Sequence, residues 1–541
     1  MVQQRWKNIT TPISNTVNII NIARFIKIQA YKKNKSRKDF KNLDHIVQNY
    51  NLNYIYTTAP AGLRNKYGRI SAIFTIFAAQ NQNVMKNLTL FIILLVGAIS
   101  QAAAQTDSLT IAKIKEEVKR EVMAEIQAQQ LADNGKVKST QDGTKLKLYG
   151  FVRSYINYDT RECIALTGEL FNILPKDVEL NEQGEDINAV PKSVFVSFTS
   201  RFGIEANGPR ILNAASSAKL EADFCGYSPK NFLLRIRHAY VQLAWERTKL
   251  LLGQTWHPSF NMAAPSLFGY SAGAPFATSS RSPQISLAYD AGRNWELLLV
   301  ALQQMPDSSY GIDGKSPDYA RWNVWPEIFA SVGHRGEHLW FGAGVDILSL
   351  MPRKTSTAML ATINEDGTQT ITEMSVRVKD RVLGISPELF ADYKNGKFNI
   401  KGKLIYAENA SHLTMLGGFG ATSYDPETGS YEYAPTRAVT SWIDATYGQK
   451  WRAGLFLGYT DNLGAKKEFI SPGYFWAFEV KNVDYVYRAV PSITYFAKNL
   501  EVALEADYTV AGYGDVAIDG NTKALRDVSN LRTSLIVKYK F

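Results

Sequence analysis

Apolar and polar residues alternate along most of the chain after Lys145. Segments 398–406 (FNIKGKLIY), 451–459 (WRAGLFLGY) and 500–508 (LEVALEADY) each place apolar side chains at every second position. A period of two is typical of a β-strand with one apolar and one polar face. Strands of about ten residues cross a bilayer when they are tilted. The alternation therefore predicts an all-β fold whose strands span a membrane.

Sixteen such segments are present, and their connections differ in length. Links after even-numbered strands are mostly short, whereas links after most odd-numbered strands are long. Short turns at one end, long loops at the other and an even strand number are typical of bacterial outer-membrane barrels with both termini in the periplasm. We therefore predict a 16-stranded antiparallel transmembrane β-barrel over residues 146–541, surrounded by outer-membrane lipid. The predicted strands are 147–159, 193–207, 217–225, 233–247, 249–258, 284–292, 295–304, 326–336, 339–350, 381–395, 398–409, 439–448, 451–461, 484–497, 500–511 and 530–541.

The net charge of +11 does not support nucleic-acid binding by the barrel. Residues 1–84 hold 13 Lys and Arg against 2 Asp and Glu, and 13 − 2 = +11 accounts for the whole excess. The remaining residues hold 48 basic and 48 acidic side chains. Because the excess charge is confined to the leading segment, no nucleic-acid partner is predicted.

Residues 85–104 have the pattern of a secretory signal peptide. The stretch begins with the basic MKN, continues as an apolar run and ends in small residues before Gln105. Residues 1–84 are therefore predicted to be an upstream extension that is absent from the mature protein, with translation starting at Met85. The alternative is a real cytoplasmic extension ahead of a membrane anchor.

Residues 105–132 are predicted to form a short amphipathic helix in the periplasm, followed by a linker at 133–145. Apolar residues recur there every three or four positions, with charged residues between them. Such a stripe favours several copies packing as a coiled coil, although the spacing does not give the oligomer number. A helix that lies on its own barrel, or only tethers it, is the alternative. The apolar positions are Ile111, Ile114, Val118, Val122 and Ile126.

The loop after strand 5, at 259–283, is the predicted constriction of a channel. A sixteen-stranded lumen is too wide for side chains to fill, so the predicted function is a water-filled porin for small hydrophilic solutes. Gly269, Gly273 and Pro275 let this loop bend inward, and Arg281 is placed to meet a solute. An ordinary exposed arginine is the alternative for Arg281. The predicted inner face carries Arg153, Arg201, Lys219, Arg452, Arg488 and Arg532 against Glu205, Glu221, Asp223, Asp290, Asp346 and Glu505.

Strand 4 breaks its own alternation. Arg235 and Arg237 share parity with the apolar Val241 and Leu243, so a regular strand would turn both arginines toward lipid. A β-bulge near His238 would return them to the lumen. Together with Arg281 they would then form a basic patch that favours carboxylates or phosphates.

Three segments resemble a known family. LYGFVRSYINYD at 148–159, LRIRHAYV at 234–241 and LGQTW at 252–256 look like DcaP-like trimeric porins, and the resemblance spans about residues 109–541. It implies a homotrimer, a periplasmic helical bundle from residues 109–131 and uptake of small, often anionic, solutes.

The end of the chain and several strand ends carry aromatic residues. The last strand alternates up to Tyr539 and Phe541, which resembles the signal that outer-membrane barrels present to the barrel assembly machinery. Aromatic residues at strand ends, among them Trp256, Trp295 and Trp451, are expected to form interfacial girdles.

The predicted strands place Cys163 just beyond strand 1 and Cys225 just beyond strand 3, both on the side of the long loops. Two cysteines in an oxidising compartment can pair, so a disulfide is expected. Two separate thiols are the alternative.

Catalytic and metal-binding motifs are not found in the sequence. It contains no G-x-S-x-G, Walker loop or H-E-x-x-H. His334 and His338 are four apart but flank a turn, so no metal site and no cofactor are predicted. An outer-membrane barrel protease or phospholipase, or a non-conducting structural or adhesin barrel, is the alternative to a non-enzymatic porin.

Overall fold

The structured part of the chain is a closed antiparallel barrel of sixteen strands. The computed structural model describes residues 144–228, 231–271, 273–475 and 480–541. Consecutive strands pair along the chain, and the first strand pairs with the last, so that Phe151 lies opposite Lys540 and Asp159 opposite Arg532. Closure pairs both edges of the described sheet, as contact with lipid requires. The predicted fold class and strand number are confirmed for the barrel, whereas the segments predicted at 1–84, 85–104 and 105–132 lie outside the described residues.

The barrel strands are numbered β1 to β16 in chain order. The second strand is interrupted by a turn at 197–200, in which the Ser200 N–H donates to the Ser197 carbonyl at 3.2 Å. The strands are β1 Lys145–Asp159, β2 Lys192–Val196 with Arg201–Ile211, β3 Ala214–Ser228, β4 Asn231–Ala244, β5 Thr248–Trp256, β6 Arg281–Gly292, β7 Trp295–Leu302, β8 Glu327–Arg335, β9 Leu339–Leu350, β10 Val382–Asn395, β11 Phe398–Glu408, β12 Tyr431–Gly448, β13 Trp451–Ala465, β14 Val483–Ala497, β15 Leu500–Val516 and β16 Thr522–Lys540.

The strands bury polar side chains inside and expose apolar ones outside. On β15, Glu501, Glu505 and Asp507 are buried, while Leu504 is 49% exposed and Tyr508 is 43% exposed. Because successive side chains of a strand point to opposite faces, the polar residues face inward and the apolar residues form an outer surface suited to lipid. The alternation read from the sequence is confirmed.

Strand ends differ from the predicted ones where strands extend beyond the apolar band. The loop expected at 512–529 shrinks to 517–521 because β15 and β16 pair as far as Val516 and Thr522. Likewise, β12 begins at Tyr431, within the loop predicted at 410–438. Polar residues interrupt the hydrophobic alternation in these extensions, so the sequence did not predict them as strands.

The long connections carry small elements of their own. Two-stranded pairs form at Cys163–Leu166 with Phe171–Pro175, Tyr310–Gly311 with Gly314–Lys315 and Thr355–Ile363 with Gln369–Arg377. Further strands lie at Gly418–Tyr424 and Tyr474–Phe475, and helices at Pro258–Met262, Asp318–Asn323 and Ser411–Leu413. Among the described residues, no helix is long and apolar enough to cross a membrane.

An apolar cluster packs loops against the inner wall of the barrel. Phe171, Ile173 and Leu174 come from the loop after β1, and Met262 and Phe276 from the loop after β5. They pack with wall residues that include Trp442, Phe456, Val486 and Val490. Two inward loops therefore fill part of the lumen with buried apolar groups.

Candidate functional site

The loop after β5 folds into the barrel, as its sequence predicted. We call residues 257–280 the constriction loop. Glu505 on β15 accepts the backbone N–H groups of Phe268 at 2.6 Å and Gly269 at 2.8 Å. Asp444 on β12 accepts the N–H of Ser266 at 2.5 Å. Because these carboxylates stand on strands far from β5 around the barrel, the loop crosses the lumen.

Glycine lets the constriction loop make its close turns. Gly273 has a φ of +85°, a left-handed conformation that favours glycine. A Cβ at Gly269 would lie 2.8 Å from a Glu505 carboxylate oxygen. The inward bend expected from these glycines is therefore consistent with the observed backbone.

A second inward loop, after β1, is held by arginines that the sequence assigned to the inner face. Arg488 donates to the carbonyls of Ile173 at 2.7 Å and of Ala274 in the constriction loop at 2.6 Å. Arg532 donates to the Leu170 carbonyl at 3.1 Å and pairs with Asp159 at 2.8 Å. These inner charges therefore anchor loops.

The bulge expected on strand 4 is confirmed. Glu221 of β3 lies opposite His238 and Ala222 lies opposite Ile236, so Arg237 is the extra residue. The bulge restores inward parity to Arg235 and Arg237, and both pair with Asp223, at 2.9 and 2.8 Å. Arg237 also pairs with Glu221 at 2.9 Å.

Five arginines lie on β1, β2, β4 and β6 near these contacts, and we call them the arginine cluster. Arg201 approaches Glu221 at 3.6 Å, and Arg153 donates through Nε to Thr199 at 3.2 Å. Arg281 and Arg237 both lie over the ring of Trp256, with distances of 4.7 and 5.3 Å to its centroid. The members are Arg153, Arg201, Arg235, Arg237 and Arg281.

The arginine cluster keeps an excess of positive charge. A third carboxylate, Asp307, accepts the backbone N–H of Arg281 at 3.0 Å. Five arginines against Glu221, Asp223 and Asp307 leave a formal charge of 5 − 3 = +2. Arg281 and Arg201 each carry a buried Nε without a hydrogen-bond partner in the described part of the chain.

The constriction loop also contributes a phenol to this cluster. Arg235 donates to the Tyr270 hydroxyl at 2.6 Å. Burial raises the pKa of the Tyr270 phenol, so it stays protonated and neutral at physiological pH. The charge balance of the cluster is therefore unchanged by this contact.

Some predicted residues lie elsewhere. Asp290 is exposed beside the β6–β7 turn, where its carboxylate accepts the Gly292 N–H at 2.8 Å. Lys219 pairs with Glu205 at 3.2 Å. Trp256, expected in a lipid-facing girdle, instead stacks inward on Phe260 and beneath the two arginines, because β5 ends there and the chain turns into the lumen.

The predicted disulfide is wrong, since Cys163 and Cys225 are buried free thiols. The Cys163 thiol donates to the Arg161 carbonyl at 3.5 Å and the Cys225 thiol to the Phe198 carbonyl at 3.7 Å. Because the loop after β1 folds inward, the Cys163 thiol contacts its own loop and does not pair with Cys225. Burial, followed by the charge of Asp159, raises the pKa of the Cys163 thiol to about 12.

A second polar cluster was missed by the sequence reading. His257, Glu327, Asp346 and His412 are all buried and lie close together. Burial alone would lower the pKa of His257, but Asp346 and Glu327 outweigh it and raise this pKa to about 9. The four residues belong to four separate segments, so no local spacing signals them.

Comparison with known proteins supports the resemblance seen in the sequence. Residues 112–316 match the family model described as DcaP outer membrane protein. Over this stretch the chain is similar to the DcaP outer membrane protein family. The matched stretch contains the constriction loop and the members of the arginine cluster. A comparison with curated protein sequences found no match.

One solved structure shares the barrel fold, and further structures match with lower TM-scores. The outer membrane channel DcaP of Acinetobacter baumannii matches with 19% identity over 75% of this chain and 99% of that chain, with a TM-score of 0.52. OmpT of Vibrio cholerae, in a trimer form, matches with 15% identity over 74% and 99%, with a TM-score of 0.43. An anion-selective porin from Comamonas acidovorans matches with 11% identity over 74% and 100%, with a TM-score of 0.44. The match to the DcaP outer membrane protein family model supports an outer-membrane location, and the DcaP channel structure shares the barrel fold.

Proposed function

We propose that the barrel is a porin whose constriction favours small anionic solutes such as carboxylates and phosphates. The observation that carries this proposal is the arginine cluster beside the constriction loop, with its formal excess of +2. Guanidinium groups donate paired hydrogen bonds that suit carboxylate and phosphate oxygens. The partly exposed Arg153, Arg201 and Arg235 are the members best placed to meet a solute.

Ion selectivity in planar bilayers tests this proposal. Under a KCl gradient we expect a reversal potential that shows faster permeation by chloride than by potassium. Replacing both Arg153 and Arg201 by Gln should move the reversal potential toward zero. The matched control is Arg293→Gln in the β6–β7 turn, outside the cluster. A cation-selective channel, or an equal effect of the control, would contradict an anionic preference.

The same recordings separate the porin from its alternatives. A structural or adhesin barrel should not conduct. A barrel protease or phospholipase should cleave casein or phospholipid substrates, for which lipase and protease assays on the folded protein are sufficient. We expect conductance without hydrolysis.

We further propose that the protein is a homotrimer with both termini in the periplasm, assembled by the barrel assembly machinery. The resemblance to trimeric porins and the apolar stripe at 111–126 support the trimer. Mass measurement of the purified protein by light scattering tests it, and deletion of 105–132 tests the contribution of the helix. A monomer in the full-length mature protein would refute the trimer.

A further inference from the structure

Four buried side chains with metal-ligating atoms meet at the base of the constriction loop, apart from the arginine cluster. His257 opens the loop, Glu327 begins β8, Asp346 lies on β9 and His412 lies in the short helix Ser411–Leu413. One ligand atom from each lies within 4.8 Å of the others. The fold therefore brings two imidazoles and two carboxylates from four segments to one point.

The distances suit ligands around a single ion. His257 Nε2 lies 2.9 Å from Glu327 Oε1 and 3.6 Å from Asp346 Oδ1. His412 Nε2 lies 3.1 Å from the same Glu327 oxygen. Zinc bonds of about 2.0–2.1 Å in a tetrahedron place neighbouring ligand atoms about 3.4 Å apart. The observed separations fall on both sides of that value, so small side-chain movements would complete the geometry.

The cluster also contains polar atoms that the protein does not satisfy. Glu327 Oε2 and Asp346 Oδ1 are buried, and neither has a hydrogen-bond partner among the described residues. A buried acceptor without a partner destabilises a fold, and two neighbouring carboxylates also repel each other. A divalent cation would satisfy the free oxygens and neutralise both charges.

We propose that His257, Glu327, Asp346 and His412 form a binding site for a divalent transition-metal ion, with Zn²⁺ as the best fit. Zinc accepts imidazole nitrogen together with carboxylate oxygen in a four-coordinate site. Calcium and magnesium take oxygen ligands, so two imidazoles argue against them.

Metal binding would remove the proton from Nε2 of His257. This nitrogen faces Glu327 at 2.9 Å, and an Nε2 atom that ligates a metal carries no proton. The ion would therefore replace the hydrogen bond between His257 and Glu327.

The site would fix the constriction loop at its base. The His257 N–H donates to the Ser280 carbonyl at 3.0 Å, which closes the loop, and the Ser279 N–H donates to the Leu413 carbonyl at 2.9 Å. An ion held by His257 and His412 would cross-link the constriction loop, the loop after β11 and two wall strands.

Metal binding to the folded mature protein tests the proposal without any variant. After removal of metal with EDTA, we expect titration calorimetry with ZnCl₂ and elemental analysis to give one zinc per protomer, and MgCl₂ to give no heat. CoCl₂ should produce the intense visible bands of tetrahedral cobalt. Absence of zinc binding, or the weak spectrum of octahedral cobalt, would overturn the proposal.

Variants then locate the site. Glu327→Gln and His412→Gln should each weaken zinc binding by more than about tenfold. The control is His338→Gln in the turn between β8 and β9, which should bind like the wild type. Heat-modified migration on gels confirms that each variant is folded. Unchanged binding in both folded cluster variants, or equal loss in the control, would assign the zinc to another place and refute the site.

Discussion

At the scale of single residues, the barrel buries several charges in close ion pairs. Arg237 is 1% exposed and Asp223 is fully buried, and they pair at 2.8 Å. Removing one partner of such a pair leaves an uncompensated charge away from water, which costs far more than an exposed ion pair gains. The arginine cluster is therefore a structural element as well as a candidate solute contact.

Replacing Asp223 by Asn is expected to lower the free energy of unfolding by about 3–5 kcal/mol, because Arg235 and Arg237 lose their shared carboxylate. Urea unfolding in detergent measures the change. The control is Glu205→Gln, whose half-exposed pair with Lys219 should contribute about 0–1 kcal/mol. Equal losses in the two variants would show that the burial of Asp223 has no special cost.

Cys163 is expected to resist alkylation in the folded barrel. Only the thiolate reacts, and a pKa raised to about 12 leaves the buried thiol protonated at pH values near neutrality. Maleimide should therefore label the protein after denaturation but not before. The unfolded protein should also migrate identically with and without reductant, whereas a shift on reduction would restore the disulfide that the structure contradicts.

At the scale of elements, the constriction loop is seated by a glycine on the wall. A Cβ at Gly458 of β13 would lie 2.5 Å from the Phe276 ring, so the ring occupies the space that this glycine leaves free. Phe276 is fully buried and packs against Phe456 at a centroid distance of 6.1 Å.

Replacing Gly458 by Leu is expected to push Phe276 from its seat and destabilise the protein by about 1–3 kcal/mol. Single-channel traces should become noisier, since the loop is no longer held against the wall. Ala453→Leu on the lipid-facing side of the same strand is the matched control and should leave the traces unchanged. If the traces of the Gly458→Leu variant were as quiet as those of the wild type, the loop would not depend on this contact.

For single elements, the sequence predicted those features that depend on which face of a strand each residue lies on. The bulge on β4 was visible because Arg235 and Arg237 conflict with the apolar face of their own strand. The interruption of β2 at 197–200 was not, since its polar residues fit a strand as well as a turn. The partners of each arginine also lay beyond sequence reading, because register between strands decides them.

At the scale of the whole molecule, barrel closure depends on the last strand. Gly150 of β1 and Phe541 exchange backbone hydrogen bonds of 3.1 and 3.0 Å, and the Phe541 ring covers the position where Gly150 lacks a Cβ. Tyr539 and Phe541 are more than half exposed on the outside, where an assembly factor can reach them.

Deleting Phe541 is expected to reduce the amount of folded protein in the outer membrane, because the proposed assembly signal and the last contacts of β16 are lost together. Heat-modified migration of membrane fractions on gels measures the folded share. Phe398→Ala removes another exposed aromatic side chain at a turn and serves as the control. Equal folded yields for the deletion and the wild type would argue against a signal at this end.

The sequence by itself determined the closed barrel, its strand number, the inward loop and the bulge. Contact with lipid requires fully paired strands with an apolar outer face. A strand with one apolar face shows a period of two within its own sequence. Only the tertiary structure decided the free thiols, the partners of the arginines and the meeting of His257, Glu327, Asp346 and His412. These depend on distances between segments far apart in the chain, which barrel closure, strand register and loop packing set together.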